Sequence, residues 1–273
     1  MEYLLHKVAG VTRGRCRSMI DWRQSRARLR GAGAYPPAPD GWTIYVVGDI
    51  HGRLDLLKEV HHGIDADKSD SGTIQAVEIY LGDYIDRGPH SADVLSALID
   101  RAKTGPTCFL RGNHEQLLVD FLEGRDLLGQ WKAVGALPTL LSYGLPAKLL
   151  AGDAPEKEVR QALRQRLPAE HLDFLVRTGS YVKLAPYLMV HAGIRPGIRL
   201  EDQQAADILG IRNDFLDYDG DLGYLVVHGH TPVEEPDFRP NRINIDTGAF
   251  ATNQLTCLRI GTDGPSVLDP DFD

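Results

Sequence analysis

Three short apolar segments near the start of the chain constrain its fold most, because each is followed by a polar, glycine-containing loop. Residues 43–47 are rich in β-branched and aromatic side chains, which is typical of a buried strand. Asp49 and Asp83, in the first two loops, lie 34 positions apart, and Asn113, in the third, lies 30 positions beyond Asp83. This interval suits strand–helix–strand units of roughly 30 residues, so it predicts parallel strands joined by helices.

The remainder of the chain extends this α/β pattern. Residues 124–178 contain mostly helical periodicity interrupted by prolines and glycines, and strand-like runs return after Gly179. We therefore expect one α/β domain over residues 41–263 with a helical insert at about 124–178. A basic extension with a proline-rich linker precedes it at residues 1–40, and an acidic tail follows at 264–273.

Charge is distributed unevenly between the extension and the body of the chain. The first 40 residues contain eight basic and three acidic residues, whereas the whole chain has a net charge of −8. Nucleic-acid backbones require clustered Lys and Arg, so the acidic body argues against nucleic acid as a partner. The basic arm either contacts an anionic partner or folds back on the acidic body. We favour the second interpretation and assign the arm no function.

Several classes of protein are disfavoured by what the sequence lacks. No stretch approaches the roughly 18–20 apolar residues of a membrane span, and the N-terminus lacks the layout of a signal peptide. No Cys-x-x-Cys pair is present, which argues against a zinc ribbon or a thioredoxin-type site. We therefore expect a cytoplasmic protein with no membrane partner.

The loops after the predicted strands contain carboxylate, imidazole and amide side chains. Parallel strands end at one edge of a sheet, where α/β proteins bind ligands. Oxygen and imidazole donors without thiolate favour Mn, Fe or Zn, and the set exceeds what one tetrahedral ion needs. It therefore predicts two divalent ions that share a carboxylate. The candidate ligands are Asp49, His51, Asp83 as the bridge, Asn113, His191 and either His228 or His230.

Other side chains in the same loops suit phosphoryl transfer. Two cations would neutralise phosphoryl oxygens and lower the pKa of a shared water. Arg87 and Arg212 are candidates for bidentate phosphate contact. His114 follows Asn113 but is not needed as a ligand, so it is a candidate general acid. Asp86 could orient His114, or it could form an ion pair with Arg87 instead.

Five motifs occur in order along the chain and together resemble a known family. They are GDIHG at 48–52, GDYIDRG at 82–88, RGNHE at 111–115, VHAG at 190–193 and HGHT at 228–231. This set is similar to the signature of the PPP-type Ser/Thr protein phosphatases, in their bacterial branch, and extends over about residues 43–260. The resemblance implies the calcineurin-like metallophosphoesterase fold, a β-sandwich flanked by helices in α/β/β/α layers.

The resemblance also implies a role for each site residue. Two divalent ions are implied, with manganese expected and iron or zinc as alternatives. His230 is preferred to His228 as a ligand, and His228 stays the alternative. One ion would be bound by Asp49, His51 and Asp83, and the other by Asp83, Asn113, His191 and His230; His114 would be the general acid oriented by Asp86, and Arg87 and Arg212 would hold the phosphate.

The activity that the resemblance implies is phosphoprotein hydrolysis. Phosphoserine or phosphothreonine would be attacked directly by a hydroxide bridging the metals, with phosphotyrosine left open. The alternative is a symmetrical dinucleoside tetraphosphatase, or another nucleotide or RNA-end phosphatase on the same scaffold. Those dinucleoside relatives tend to lack the equivalent of Asp86 and to have aspartate at Glu115, so both residues favour a protein phosphatase. A metal-binding pseudoenzyme is disfavoured because no ligand is missing.

Two departures from the family pattern lie around the expected substrate cleft. Gly210 replaces a tryptophan that often precedes the Ile-Arg segment, and residues 134–136 read Val-Gly-Ala where Asn-Gly-Gly is common. We expect both to alter the shape of the cleft without affecting the metal ligands.

Overall fold

The computed structural model describes residues 35–71, 75–151 and 154–268. Residues 1–34 of the predicted basic extension and residues 269–273 of the predicted tail lie outside the described residues. Within those three ranges, no helix has both the length and the apolarity that crossing a bilayer requires.

The first sheet has parallel and antiparallel parts. The first three strands along the chain are parallel, as predicted, with Trp42 opposite Gln75 and Val47 opposite Tyr80. The last two described strands are antiparallel and extend the other edge. The spatial order is β10 (Gly264–Val267), β9 (Cys257–Gly261), β1 (Trp42–Val47), β2 (Gln75–Tyr80) and β3 (Thr107–Phe109).

The second sheet is also mixed. Its three central strands are parallel, and an antiparallel strand lies at each edge. The spatial order is β4 (Tyr181–Leu184), β5 (Tyr187–Val190), β6 (Leu225–His228), β8 (Arg242–Asn244) and β7 (Asp237–Phe238).

The helices fall into three groups. Three helices follow the first three strands, the next five lie within residues 124–178, where the insert is expected, and three short ones belong to the second half of the chain. They are α1 (Leu54–Asp70), α2 (Ser91–Arg101), α3 (Asn113–Glu123), α4 (Leu128–Val134), α5 (Ala136–Ser142), α6 (Ala147–Ala151), α7 (Glu156–Arg166), α8 (Ala169–Arg177), α9 (Ala205–Gly210), α10 (Asn213–Leu216) and α11 (Ala249–Thr252).

The two sheets pack face to face with helices outside them. Side chains alternate along β1: Tyr45 and Val47 pack against the helices, whereas Ile44 and Val46 pack against the second sheet. A third apolar cluster joins the far side of the second sheet to α9 and α10. This is the predicted α/β/β/α sandwich, and the central strands β1, β2, β5 and β6 are buried on two faces because each contributes apolar side chains to two layers.

The packed structure extends beyond the domain boundaries expected from the sequence. Ala38, in the predicted linker, is only 4% exposed, and its backbone N–H donates to Gly261 O at 2.8 Å. Residues 264–267, assigned to the tail, form β10, because their backbone groups complete the hydrogen bonding of β9. Packed residues therefore lie on both sides of the predicted domain, before residue 41 and after residue 263.

Candidate metal centre

The polar loops meet at the edge of the sandwich where the parallel strands end. The backbone N–H of His51, after β1, donates to Asp83 O, after β2, at 2.8 Å. The N–H of Gly229, after β6, donates to His191 O, after β5, at 2.8 Å. These bonds fix each loop to its neighbour, so the positions of the side chains they carry are fixed as well.

One group of donors, the first cluster, consists of His51, Asp83 and His114. One ligand atom from each lies within 4.8 Å of the others, and all three residues are buried. His51 Nε2 is 3.6 Å from Asp83 Oδ2, while its Nδ1 is 2.9 Å from Ile85 O. The carbonyl favours a proton on Nδ1, which leaves Nε2 available to an ion. Burial lowers the pKa of His51 to about 3, so the ring is neutral, as a metal ligand must be.

The second cluster consists of Asp83, His191 and His230, whose ligand atoms also lie within 4.8 Å of one another. Asn113 joins them, since its Oδ1 is 2.8 Å from His230 Nδ1 and 3.0 Å from His191 Nε2. His191 Nδ1 is 3.0 Å from Leu81 O, which leaves Nε2 for an ion. Asp83 belongs to both clusters, which is the position predicted for a bridging ligand.

Asp49 offers the clearest sign that the site is built for cations. Its Oδ1 is buried and, within the described residues, accepts no hydrogen bond. Burial raises the pKa of Asp49, and the negative charges of Asp246 and Asp83 raise it further. A Cβ on Gly229 would lie 2.1 Å from this oxygen, so glycine is needed beside it. A buried carboxylate among other carboxylates is costly without a cation, so the donor set fits divalent metal ions.

The structure distinguishes the two candidate histidines at 228 and 230. His228 is buried, its ring packs against Phe215 at 4.9 Å between centroids, and its Nδ1 is 3.1 Å from Gly229 O. It belongs to neither cluster within the described residues. His230 is the one brought to Asp83 and His191.

His114 and Asp86 form a buried pair. His114 Nδ1 is 2.7 Å from Asp86 Oδ2, and its Nε2 is 3.8 Å from Asp83 Oδ2. Burial lowers the pKa of His114, but the negative charges of Asp83 and Asp86 outweigh this, so the pKa lies above its ordinary value. The alternative ion pair between Asp86 and Arg87 is absent from the described contacts, because Arg87 Nη2 approaches His114 Nε2 instead, at 3.3 Å.

Both predicted phosphate-binding arginines lie at this edge. The Arg87 guanidinium lies over the ring of Phe250, 4.7 Å from its centroid. Arg212 is exposed, and its positive charge is felt by the second cluster: burial lowers the pKa of His230 to about 3, and the charges of His191 and Arg212 contribute. The site thus combines anionic ligands inside with cationic side chains at its mouth.

Comparison with known proteins places this geometry in a family. A sequence model described as calcineurin-like phosphoesterase matches residues 43–244. The chain belongs to this family. It is therefore a metallophosphoesterase, which is a hydrolase, and its family uses two divalent metals. The His and Asp clusters described above are able to bind such ions.

Several curated relatives of the phosphoesterase share one name, the asymmetrical bis(5'-nucleosyl)-tetraphosphatase PrpE. The protein from Anoxybacillus flavithermus is 27% identical over 78% of this chain and 89% of its own length. Those from Oceanobacillus iheyensis and Bacillus cereus are 28% and 29% identical, over 79% and 78% of this chain and 88% and 89% of their own lengths. The relatives' name contains "asymmetrical", whereas the alternative weighed from the sequence was a symmetrical enzyme.

A solved structure supports the fold. A protein assigned as a diadenosine tetraphosphatase superposes with a TM-score of 0.52 and 16% identity, over 87% of this chain and 97% of its own. At this identity the likeness concerns the fold alone.

The phosphoesterase contains a buried carboxylate, Glu115, that was not among the predicted site residues. Glu115 accepts hydrogen bonds from the backbone N–H groups of Gly112, Asp83 and Tyr84, at 2.8 to 2.9 Å. Burial raises the pKa of Glu115 to about 7, and the charge of Asp83 contributes. The signal was present, since a glutamate at the third position of a helix is typical of a capping box. Glu115 ties the β2 and β3 loops together below Asp83.

The backbone of the phosphoesterase is strained at five of the predicted site residues. Non-glycine residues with positive φ are uncommon, and they persist where surrounding structure holds them. Six are present in the described ranges, and five of these are predicted site residues. Those five are His51, Asp83, Asp86, Arg87 and His230.

Proposed function

We propose that the chain is a two-metal phosphohydrolase that cleaves a dinucleoside polyphosphate asymmetrically. The sharing of Asp83 by both clusters carries the two-metal part of this proposal. Manganese is the expected metal, with iron or zinc as alternatives, because carboxylate, imidazole and amide donors suit all three. One ion would be held by Asp49, His51 and Asp83, and the other by Asp83, Asn113, His191 and His230.

The reaction follows from the charges at the site. When bound, two divalent ions supply Lewis acidity, which activates water and offsets phosphoryl charge. A P–O bond to the water oxygen forms as the P–O bond to the leaving group breaks. Arg87 and Arg212 hold the phosphoryl oxygens, and His114 Nε2 gives its proton to the leaving oxygen when that oxygen needs one. Asp86 orients His114 through Nδ1.

Two observations support a nucleotide as the substrate. Relatives that are 27% identical over 78% of the chain are named for dinucleoside tetraphosphates. In addition, the aromatic ring of Phe250 is 39% exposed at the mouth of the site, 5.6 Å from the ring of His51. Arg53 fixes the helix that carries it, donating to Ala249 O at 2.8 Å. A nucleobase stacked on an aromatic ring gains about 1–3 kcal/mol, so Phe250 is suited to contact the base while the metals contact the phosphates.

A second candidate, hydrolysis of phosphoserine or phosphothreonine in proteins, is favoured by the buried His114–Asp86 pair. A serine alkoxide is a poor leaving group and needs a proton, whereas a departing nucleotide phosphate needs little assistance. The pair, 2.7 Å apart and shielded from water, is suited to deliver that proton.

One assay separates these candidates. With Mn²⁺ added, we expect hydrolysis of diadenosine tetraphosphate to ATP and AMP at a higher kcat/KM than for phosphoserine peptides. Formation of two ADP molecules would contradict asymmetrical cleavage, and preference for the peptides would establish the second candidate. Loss of activity with a chelator and its return with Mn²⁺ test the metal requirement.

Phe250→Ala tests the proposed contact with the base. We expect KM for diadenosine tetraphosphate to rise about tenfold with little change in kcat, because stacking binds the substrate without touching the reacting atoms. Inorganic tetrapolyphosphate, which has no base, is the control and should show no such rise. An equal change with both substrates would mean that Phe250 acts only by supporting Arg87.

A further inference from the structure

The helical insert reaches the candidate site at two consecutive residues, Asp86 and Arg87. The contacts come from Trp131 in α4, from Gly135 and from Thr139 in α5. We call the segment of residues 131–139 the insert turn. This segment contains the Val-Gly-Ala departure from the family pattern. The phosphate-binding and proton-delivering groups are therefore both contacted by a segment that contributes no proposed metal ligand.

Each oxygen of the Asp86 carboxylate accepts a hydrogen bond from the insert turn. The Trp131 indole Nε1–H donates to Oδ2 at 2.7 Å, and the Thr139 hydroxyl donates to Oδ1 at 2.6 Å. Asp86, Trp131 and Thr139 are all fully buried. The carboxylate cannot rotate without breaking both bonds, and in this orientation its Oδ2 faces His114 Nδ1.

Thr139 also holds the backbone beneath that carboxylate. Its Oγ1 accepts a hydrogen bond from the N–H of Asp86 at 2.8 Å and lies 2.8 Å from Ser91 Oγ. The hydroxyl therefore uses its one donor and two acceptor positions, all within a buried network. Asp86 needs such support because its φ is +74°, a left-handed conformation that is costly for a non-glycine residue.

Gly135 contacts the neighbouring arginine. Its carbonyl accepts a hydrogen bond from the N–H of Arg87 at 3.0 Å, and Arg87 also has a left-handed φ, of +66°. A Cβ on Gly135 would lie 2.8 Å from Arg87 Cγ. A side chain at position 135 would therefore displace the arginine that is proposed to hold phosphate.

We propose that the insert turn is a positioning element of the active site. Trp131 and Thr139 aim Asp86, and through it His114, at the leaving group, while Gly135 keeps Arg87 at the phosphoryl oxygens. The inference rests on the proposed phosphohydrolase activity. None of the three insert residues touches the reacting atoms, so each acts through another side chain.

The proposed role of Trp131 and Thr139 in proton delivery predicts that their removal lowers kcat by an amount that depends on the leaving group. Thr139→Val removes the hydroxyl at nearly constant volume, and Trp131→Phe removes the indole donor. With Mn²⁺ bound, we expect kcat for an alkyl phosphate, such as a phosphoserine peptide, to fall about tenfold or more in each variant. Hydrolysis of p-nitrophenyl phosphate should fall much less, because nitrophenolate leaves without a proton. Thr139→Ser, which keeps the hydroxyl, should restore the alkyl phosphate rate.

Metal stoichiometry and the thermal unfolding midpoint, measured on the same samples, distinguish misplacement from unfolding. An equal fall with both phosphates would show a merely structural role, and no fall with either would show no role; both overturn the inference. Either variant alone suffices if the other does not fold. If the unaltered protein hydrolyses neither phosphate monoester nor dinucleoside tetraphosphate, the proposed function fails and the inference falls with it.

The proposed role of Gly135 in positioning Arg87 is tested by measuring inhibition by inorganic phosphate. We expect Gly135→Ala to raise the inhibition constant about tenfold, since its methyl group displaces Arg87. Gly124→Ala is the matched control: φ is +109° at Gly124 and +117° at Gly135, so the backbone cost is comparable, but nothing lies within 4 Å of the added carbon at position 124. An unchanged constant in Gly135→Ala, or an equal rise in both variants, would overturn the assignment to Arg87.

Discussion

The two clusters differ in what holds them together. The donors of the first cluster follow β1, β2 and β3, which are neighbours in one sheet: His51 and Asp83 lie in loops, and His114 lies in the first turn of α3. The second cluster takes Asp83 from that sheet but His191 and His230 from loops of the other sheet. The first cluster is thus built by backbone hydrogen bonds between adjacent strands, whereas the second depends on how the two sheets pack. Asp83 belongs to both clusters, so it links the donors of the first sheet to those of the second sheet.

The largest expected effect comes from removing the Asp83 carboxylate, which the two clusters share. Asp83→Asn weakens both clusters at once, so we expect binding of both ions to be lost and kcat/KM to fall by about 10³-fold or more. Metal analysis of the purified variant, with activity measured across added Mn²⁺, checks this. Retention of two ions would contradict the assignment of Asp83 as the shared ligand.

His114 tests whether distance alone defines membership of the first cluster. Its nitrogen lies close enough to Asp83 to bind an ion, but its pairing with Asp86 assigns it to proton delivery. We expect His114→Asn to retain two ions while kcat for an alkyl phosphate falls by about 10²- to 10⁴-fold. Loss of an ion from this variant would instead make His114 a ligand.

The second cluster is tested separately by a pair of neighbouring histidines. We expect His230→Asn to bind one ion in place of two and to lose most activity. His228→Asn is the matched control, because His228 is buried nearby without belonging to either cluster. Equal loss of metal from both variants would mean that the loop as a whole, rather than His230, holds the ion.

The smallest expected effect comes from the layer between the sheets. Val227 is fully buried in the apolar cluster that joins them, one residue before His228. Val227→Ala leaves a cavity there. We expect the affinity for the ion at the second cluster to fall a few-fold, while the affinity for the ion at the first cluster is unchanged. Titration of Mn²⁺ into the metal-free variant measures this. Equal weakening at both sites would remove the distinction between the clusters.

Substrate choice was predicted less well than chemistry. The motifs around Asp83 and His114 are shared by enzymes that act on different phosphoesters, so they indicate phosphoester hydrolysis without selecting the leaving group. Asp86 and Glu115 favoured a protein phosphatase on sequence grounds, whereas the relatives are named for dinucleoside tetraphosphates. Phe250, at the mouth of the site, carried no recognisable pattern, because an isolated aromatic residue in a sequence has many structural explanations.

The sequence by itself determined the strands, the polar loops and the ligand types, because each loop directly follows its strand and the parallel arrangement brings those loops to one edge. It also predicted the pairing of His114 with Asp86, which the structure shows at 2.7 Å. The resemblance favoured His230 over His228, and the structure places His230 close to Asp83. Only the tertiary structure decided which side chains support Asp86. Trp131 and Thr139 are 45 and 53 residues from Asp86, and they reach it only because the insert packs against the first sheet. Contacts of that range depend on how helices are placed in space, which local periodicity does not encode.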